Sequence, residues 1–190
     1  MGTDGERGDK PTVLIVDDEE EIVDLYSVWL DSYDVRVAYT GTEALERIDE
    51  DVDLVVLDRL MPDISGDEIL EEIRDNCLGT RVVVVTAVSP SIDVLNMEID
   101  DYVVKPVERD ELTESVENVL SLKEYDEATR KSYSLSEIKE ALESSLSSTE
   151  LYNSREYSRL QDELDRAREK ADEVFETDTK AKGQKRPNTV

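Results

Sequence analysis

Carboxylates, a hydroxyl and a lone ammonium stand where apolar segments of the chain end. Asp17 and Asp18 follow one segment, Asp58 follows another, and Thr86 and Lys105 lie at the ends of two more. Clustered carboxylates repel one another unless a cation neutralises them, and hard oxygen ligands favour Mg²⁺. A carboxylate beside a metal ion and an ammonium is suited to nucleophilic phosphoryl transfer that yields an aspartyl phosphate. These residue types predict such chemistry at Asp58, with Lys105 and the Thr86 hydroxyl offsetting charge on the phosphoryl oxygens.

The elements that would bring these side chains together are strands. Strands are predicted at residues 12–16, 34–39, 52–58, 81–86 and 102–104. Most are continuous apolar runs, which is typical of parallel strands buried on both faces, whereas residues 34–39 alternate and are expected nearer an edge. Polar side chains at the carboxyl ends of parallel strands meet in one crevice. Lys105 is also the only lysine between Pro11 and Leu122.

Each predicted strand is followed by a segment in which apolar residues recur at helical spacing. Helices are predicted after Glu19, Thr42 and Gly66 and over residues 108–122, with only a short helix or turn over residues 90–97. Strands that alternate with helices predict an α/β fold with a five-stranded parallel sheet and right-handed crossovers.

Composition excludes several classes of function. The chain has 49 acidic and 22 basic residues, a formal charge of −27, which argues against sequence-independent nucleic-acid binding and against anionic membranes. Such an acidic surface is consistent with a salt-loving source. The chain has no histidine and one cysteine, Cys77, which excludes zinc sites, histidine-based triads and an internal disulfide. No apolar run approaches the roughly 18 residues of a membrane span, and residues 1–10 have no apolar signal core, so we expect a cytoplasmic protein.

The second part of the chain is predicted to be helical. One apolar stripe comprises Leu135, Ile138, Leu142 and Leu146, and a seam at coiled-coil spacing comprises Tyr157, Leu160, Leu164, Ala167, Ala171 and Val174. Capping-box patterns at residues 134–137 and 147–150 predict helix starts. Two such helices would fold back as an antiparallel hairpin or pair with another chain. We therefore divide the chain into a disordered N-terminus (1–10), an α/β domain (11–122), a helical module (123–176) and a disordered tail (177–190).

The α/β segment resembles the receiver domain of two-component response regulators. The matching positions are the pair Asp17-Asp18, the turn Asp58-x-x-Met61-Pro62 with Gly66 after it, the pair Thr86-Ala87, and Tyr102-x-x-Lys105-Pro106. The resemblance implies a flavodoxin-like sheet in the order 2-1-3-4-5 and phosphorylation of Asp58 by a sensor histidine kinase.

The resemblance also implies roles for individual residues. Mg²⁺ would be held by Asp18, Asp58 and the backbone carbonyl of Leu60, with Asp17 assisting through water. The peptide bond between Lys105 and Pro106 would be cis. Thr86 and Tyr102 would form a switch pair, in which the hydroxyl moves to the phosphoryl group and the ring turns inward. That movement would change the face formed by the fourth helix, the fifth strand and the fifth helix.

Three features differ from the receiver pattern or add to it. The loop before the fifth strand reads Glu98-Ile99-Asp100-Asp101 where receivers usually carry Gly-Ala, and the fourth helix is short. Arg59, next to the phosphorylation site, is expected to influence the lifetime of the phosphoryl group.

The helical module resembles HalX, a module that follows receivers in halophilic archaea and is associated with transcriptional regulation. Tyr125-Asp126-Glu127 and Ser154-Arg-Glu-Tyr157 carry this resemblance. Residues 123–176 contain no helix with clustered arginine and lysine, so direct DNA binding has little support. We expect a protein partner or a homodimer through these helices.

Other functions fit the sequence less well. A haloacid-dehalogenase-type phosphatase or phosphotransferase needs a second aspartate two residues after Asp58, where Leu60 stands. A flavodoxin needs a Ser/Thr/Gly-rich loop after the first strand, where this chain has acids. A scaffold acting only through protein contacts would have lost some of the site residues, and all are present. The sequence therefore favours a signalling protein over an enzyme.

Overall fold

The computed structural model of the protein describes residues 10–76, 79–122 and 125–182. The predictions for residues 1–9, for Cys77 and for residues 183–190 lie outside the described residues, as does the side chain of Val174.

Five parallel strands form one sheet in the order β2-β1-β3-β4-β5, which confirms the predicted flavodoxin-like fold. The strands are β1 (Thr12–Val16), β2 (Asp34–Ala38), β3 (Leu54–Leu57), β4 (Arg81–Thr86) and β5 (Asp101–Val104). Every residue of β1 and β3 is buried, whereas the edge strand β2 is mostly half-buried. Continuous apolar runs therefore mark the central strands, and alternation marks the edge, as predicted.

Helices cover both faces of the sheet. They are α1 (Glu20–Trp29), α2 (Gly41–Arg47), α3 (Gly66–Asn76), the 3-10 helix η1 (Ile92–Asn96) and α4 (Arg109–Ser121). Successive residues of a strand face opposite sides, so Val13 and Ile15 belong to the core beneath α1 and α4. Leu14 and Val16 belong to the core beneath α2 and α3. The short helix predicted over residues 90–97 is η1.

Three helices follow: α5 (Glu127–Ser145), α6 (Ser148–Asn153) and α7 (Arg155–Lys182). Helices α5 and α7 form an antiparallel hairpin, since the Tyr157 hydroxyl donates to Glu143 and Arg168 donates to Ser136 at 3.2 Å. Ser147 caps α6 with the predicted capping box, in which the Ser147 amide donates to the Glu150 carboxylate at 2.9 Å. Of the two predicted arrangements, an antiparallel hairpin or pairing with another chain, the structure contains the hairpin.

Two predictions about helix bounds are wrong. Ser134 does not begin a helix, because α5 already begins at Glu127, after the N-cap Asp126, whose carboxylate accepts from the amides of Ala128 and Thr129. The Ser134 hydroxyl instead donates to the carbonyl of Ile99 at 2.6 Å. Helix α7 continues through Lys182, into the segment predicted as a loose tail. The sequence from Arg155 to Lys182 contains no glycine or proline, which is why the helix can extend that far.

The helical hairpin shares a core with the sheet. Ile138 and Leu142 of α5 and Leu160 of α7 are buried in the same apolar cluster as β4, η1 and β5. The members contributed by those three elements are Val82, Val84, Val94 and Tyr102. Because η1 has only five residues, α5 and α7 pack beside it on this face of the sheet.

The unusual loop before β5 forms part of this junction. The Asp100 carboxylate accepts from the Val82 amide at 2.9 Å and pairs with Arg81 at 3.4 Å and Arg74 at 3.6 Å. Ile99 is buried, and its carbonyl accepts the hydrogen bond from Ser134. The residues that replace the usual Gly-Ala therefore anchor the loop to α3 and β4 and contact α5.

Within the described residues, no helix is both long enough and apolar enough to cross a membrane.

Candidate functional site

The structure places the predicted site residues together at the carboxyl edge of the sheet. The backbone ladder continues past the strand ends, because the Asp58 amide donates to Val16 at 2.9 Å and the Lys105 amide donates to Thr86 at 2.8 Å. The Asp17 amide likewise donates to Ala38 at 3.2 Å. These bonds fix the positions from which the side chains enter the crevice.

The Lys105 ammonium lies between two buried carboxylates. Its Nζ atom is 2.7 Å from an oxygen of Asp17 and 2.8 Å from an oxygen of Asp58, with Glu19 farther away at 3.7 Å. The Lys105 side chain is 12% exposed, so water screens these contacts only weakly. The ammonium is therefore held beside Asp58 rather than in solvent.

Three carboxylates converge at this point. One oxygen each from Asp17, Asp18 and Asp58 lies within 4.8 Å of the other two. Asp17 and Asp58 are buried and Asp18 is exposed, so the group opens toward solvent on one side. Oxygen ligands that are close together and partly open to water match the preference of Mg²⁺, which keeps several waters.

Burial and the Lys105 ammonium act in opposite directions on Asp17. Burial raises the pKa of Asp17, and the hydrogen bond from Lys105 partly opposes that rise. Burial alone would lower the pKa of Lys105, but its hydrogen bonds with Asp17 and Asp58 outweigh burial and raise it. Lys105 is therefore charged at neutral pH.

The turn after Asp58 supplies further contacts. The Leu60 amide donates to one Asp58 oxygen at 3.1 Å, and Lys105 binds the other oxygen. The Leu60 backbone, predicted to contribute a metal ligand, thus lies directly beside the carboxylate. The peptide bond between Lys105 and Pro106 is cis, which confirms that prediction.

The predicted switch residues converge on Val88. Thr86 is fully buried, and its Oγ1 atom accepts from the Val88 amide at 3.4 Å. The Tyr102 hydroxyl donates to the Val88 carbonyl at 2.8 Å, and the residue is 5% exposed. The resemblance implies a ring that turns inward during switching. Here the ring is already buried, because it belongs to the core shared with α5 and α7.

Sequence analysis did not identify how the loop after Asp58 is held. The Asp63 carboxylate accepts from the amides of Gly41 and Thr42 at 3.0 and 3.1 Å, and these bonds lower the pKa of Asp63. Gly66 passes so close to the loop that an added Cβ would lie 2.4 Å from the Asp58 carbonyl oxygen. The Pro-Asp-x-x-Gly pattern after Met61 is the signal that could have indicated both contacts.

Comparison with known proteins gives the family. The family model of the response regulator receiver domain matches residues 13–117, and that of the HalX domain matches residues 121–182. A Haloferax volcanii protein named "Putative transcriptional regulator" is 47% identical over 117 residues, which are 60% of this chain and 20% of that protein. The chain thus spans about a fifth of the length of this curated relative.

Solved receiver structures have the same fold. A CheY-like receiver domain from Methanospirillum hungatei is 30% identical, with a TM-score of 0.57 over 60% of this chain and 97% of that one. The response regulator TrrA from Thermotoga maritima, solved in complex with Mg²⁺-BeF, is 35% identical, with a TM-score of 0.50 over 57% of this chain and 97% of that one. The chain belongs to the response regulator receiver family and carries a HalX domain after its receiver.

Proposed function

We propose that the protein is the response regulator of a two-component phosphorelay, and that a sensor histidine kinase phosphorylates it on Asp58. The observation that carries this proposal is the position of the Lys105 ammonium, 2.8 Å from Asp58 within a group of three carboxylates. A nucleophilic carboxylate, a fixed cation and a ligand set for a divalent ion are the parts that phosphoryl transfer to an aspartate requires.

In the proposed reaction an Asp58 oxygen attacks the phosphorus of a phosphohistidine. The P–N bond breaks as the new P–O bond forms, and the imidazole leaves with the electron pair. Lys105 lies where it can offset the charge on the transferred group, and the Thr86 hydroxyl can donate to one of its oxygens. The Lys105 side chain is already oriented by its ion pair with Asp17, so it needs little reorganisation during the transfer.

The residues present fit a magnesium ion. We assign Asp17, Asp18, Asp58 and the Leu60 carbonyl as the groups that would hold it, and the carboxylate cluster supports this assignment. When bound, Mg²⁺ offsets negative charge on the phosphoryl oxygens. The response regulator TrrA, which is 35% identical to this chain, was solved in complex with Mg²⁺-BeF, and this supports magnesium binding by the receiver.

For the output we propose that residues 11–122 act as the receiver and that the helices after residue 123 pass the signal on. The hairpin packs on η1 and β5, the face that the resemblance links to switching. The relative named as a transcriptional regulator supports an output in transcription. The acidic charge of the chain favours contact with a protein partner or a second copy over direct contact with DNA.

The test is phosphorylation of the full chain by acetyl phosphate in the presence of Mg²⁺. We expect one phosphoryl adduct per chain that is labile in acid and base and maps to Asp58 by mass spectrometry. Asp58→Asn should abolish it, whereas Asp24→Asn, which changes an exposed carboxylate on α1, should not. An adduct that persists in Asp58→Asn contradicts the proposal. Release of phosphate from acetyl phosphate by Asp58→Asn at the wild-type rate would instead indicate a phosphatase that does not use Asp58.

A further inference from the structure

Arg59, the residue after Asp58, is a half-buried cation with two acidic partners. Its Nε and Nη2 atoms each lie 2.9 Å from a carboxylate oxygen of Asp67, and Nη2 is 3.2 Å from Asp93. The Arg59 side chain is 11% exposed, whereas both partners are about half exposed. A bidentate pair of this kind fixes the orientation of the guanidinium as well as its charge.

The two partners belong to different elements. Asp67 lies in the first turn of α3, and Asp93 lies in η1. A 3-10 helix of five residues has few hydrogen bonds of its own, so its position depends on its tertiary contacts. Those contacts include the burial of Val94, the packing of Ile92 and Leu95 on the same core, the packing of α5 and α7, and the ion pair with Arg59. Asp93 also accepts a hydrogen bond from the neighbouring Ser91 hydroxyl. Arg59 is therefore a direct link between the loop that carries Asp58 and η1.

The same guanidinium also acts on the switch aromatic. Burial raises the pKa of the Tyr102 hydroxyl, which donates to the Val88 carbonyl, and the Arg59 cation opposes that rise. Its Nη1 atom is buried and has no hydrogen-bond partner among the described residues. A buried donor without an acceptor is costly, so the guanidinium gains from an additional anion nearby.

We propose that Arg59 is a positioning residue that couples the phosphorylation state of Asp58 to the position of η1 and, through η1, to helices α5 and α7. The part of this proposal that concerns phosphorylation of Asp58 rests on the proposed function. A phosphoryl group raises the negative charge on the neighbouring residue from −1 to about −2. The added charge competes with Asp93 for the guanidinium and loosens the attachment of η1.

Hydrogen exchange of the full chain, read by mass spectrometry, tests this coupling. In unphosphorylated protein we expect Arg59→Gln and Asp93→Asn to speed exchange in residues 92–96 and 134–142 by about three- to fivefold, the effect of losing one partly buried ion pair. Asp93→Glu keeps the charge and should restore the wild-type rate. Arg47→Gln removes an exposed arginine that pairs within α2 and serves as the matched control, with no change expected.

Phosphorylation supplies the second comparison. Acetyl phosphate should speed exchange in the same segments of the wild type but produce no further change in Arg59→Gln, when the two proteins are compared at equal occupancy of the Asp58 adduct, measured by mass spectrometry. A purely structural role for Arg59 would leave the response to phosphorylation intact, and that result overturns the proposal. Exchange in Arg59→Gln and Asp93→Asn equal to wild type also overturns it. If acetyl phosphate does not phosphorylate the wild type, the proposed function fails, and so does the part of this proposal that concerns phosphorylated Asp58. The comparison of the unphosphorylated proteins still decides whether Arg59 holds η1.

Discussion

Replacing Leu142 by Ala removes a fully buried side chain from the core that helix α5 shares with the sheet. Leucine-to-alanine changes at well-packed sites cost about 3 kcal/mol, from lost burial and from the cavity left behind. With a urea m-value of about 2 kcal/mol per molar, the unfolding midpoint should fall by roughly 1.5 M. The size of this shift depends on α5 being part of the receiver's own core.

The single tryptophan of the chain makes the assay specific. Trp29 lies on α1, across the sheet from the shared core, with its ring 5.4 Å from that of Tyr26. Its fluorescence therefore reports unfolding of the receiver and not of the hairpin. We expect Leu142→Ala to shift the fluorescence and circular-dichroism transitions together, because receiver and hairpin unfold as one unit.

The control is Tyr152→Ala, which truncates a side chain that is 88% exposed on α6 and should leave the midpoint unchanged. A Leu142→Ala protein with an unaltered Trp29 transition, and an early loss of helical signal alone, would refute the reasoning. That outcome would mean that the hairpin unfolds independently of the receiver.

Three further predictions concern the site and its surroundings. Lys105→Met leaves Asp17 and Asp58 buried without their ammonium and should lower the free energy of unfolding by about 3 kcal/mol in metal-free urea titrations. Added Mg²⁺ should recover part of that loss. Gly66→Ala places a Cβ 2.4 Å from the Asp58 carbonyl oxygen, which should cost about 2 kcal/mol and reduce phosphorylation by acetyl phosphate. Burial and neighbouring carboxylates raise the pKa of Glu137 from 4.5 to about 7, so the folded state retains a proton that the unfolded state has lost. Stability should therefore fall as pH rises from about 5 to about 7, and Glu137→Gln should remove this dependence and stabilise the protein at pH 8 by about 1 kcal/mol after solvent screening is allowed for.

Each of these predictions has a contradicting result. A Lys105→Met protein as stable as wild type without metal would show that the ammonium does not neutralise the cluster. Wild-type phosphorylation of Gly66→Ala would show that the loop can move aside. A Glu137→Gln protein with the wild-type pH profile would show that another group titrates in that range.

The sheet and the site could be predicted because both depend on local patterns. Runs such as Val82–Val85 identify central strands, and a carboxylate or lysine directly after such a run must lie at the carboxyl edge. The capping box at Ser147 was found for the same reason, since both of its partners lie within four residues.

Long-range contacts could not be predicted in this way. Ser134 matches a capping box as well as Ser147 does, and only the cap at Asp126 together with the contact to Ile99 excludes it as a helix start. The apolar stripe of α5 is equally compatible with a second chain or with the receiver, because spacing identifies a buried face but not its partner. The two acidic partners of Arg59 lie 8 and 34 residues away along the chain, so the sequence showed the charge of Arg59 but not its connections.

The core shared by β4, η1, β5 and the hairpin also affects how this protein can be re-engineered. Fusing a different effector to the chain at residue 122 would remove the helices that cover Val94, Ile99 and Tyr102. The fusion protein would then expose an apolar patch. The portion that can be transplanted intact runs from β1 through the packed part of α7. In this protein the receiver and the helices that directly follow it form one structural unit.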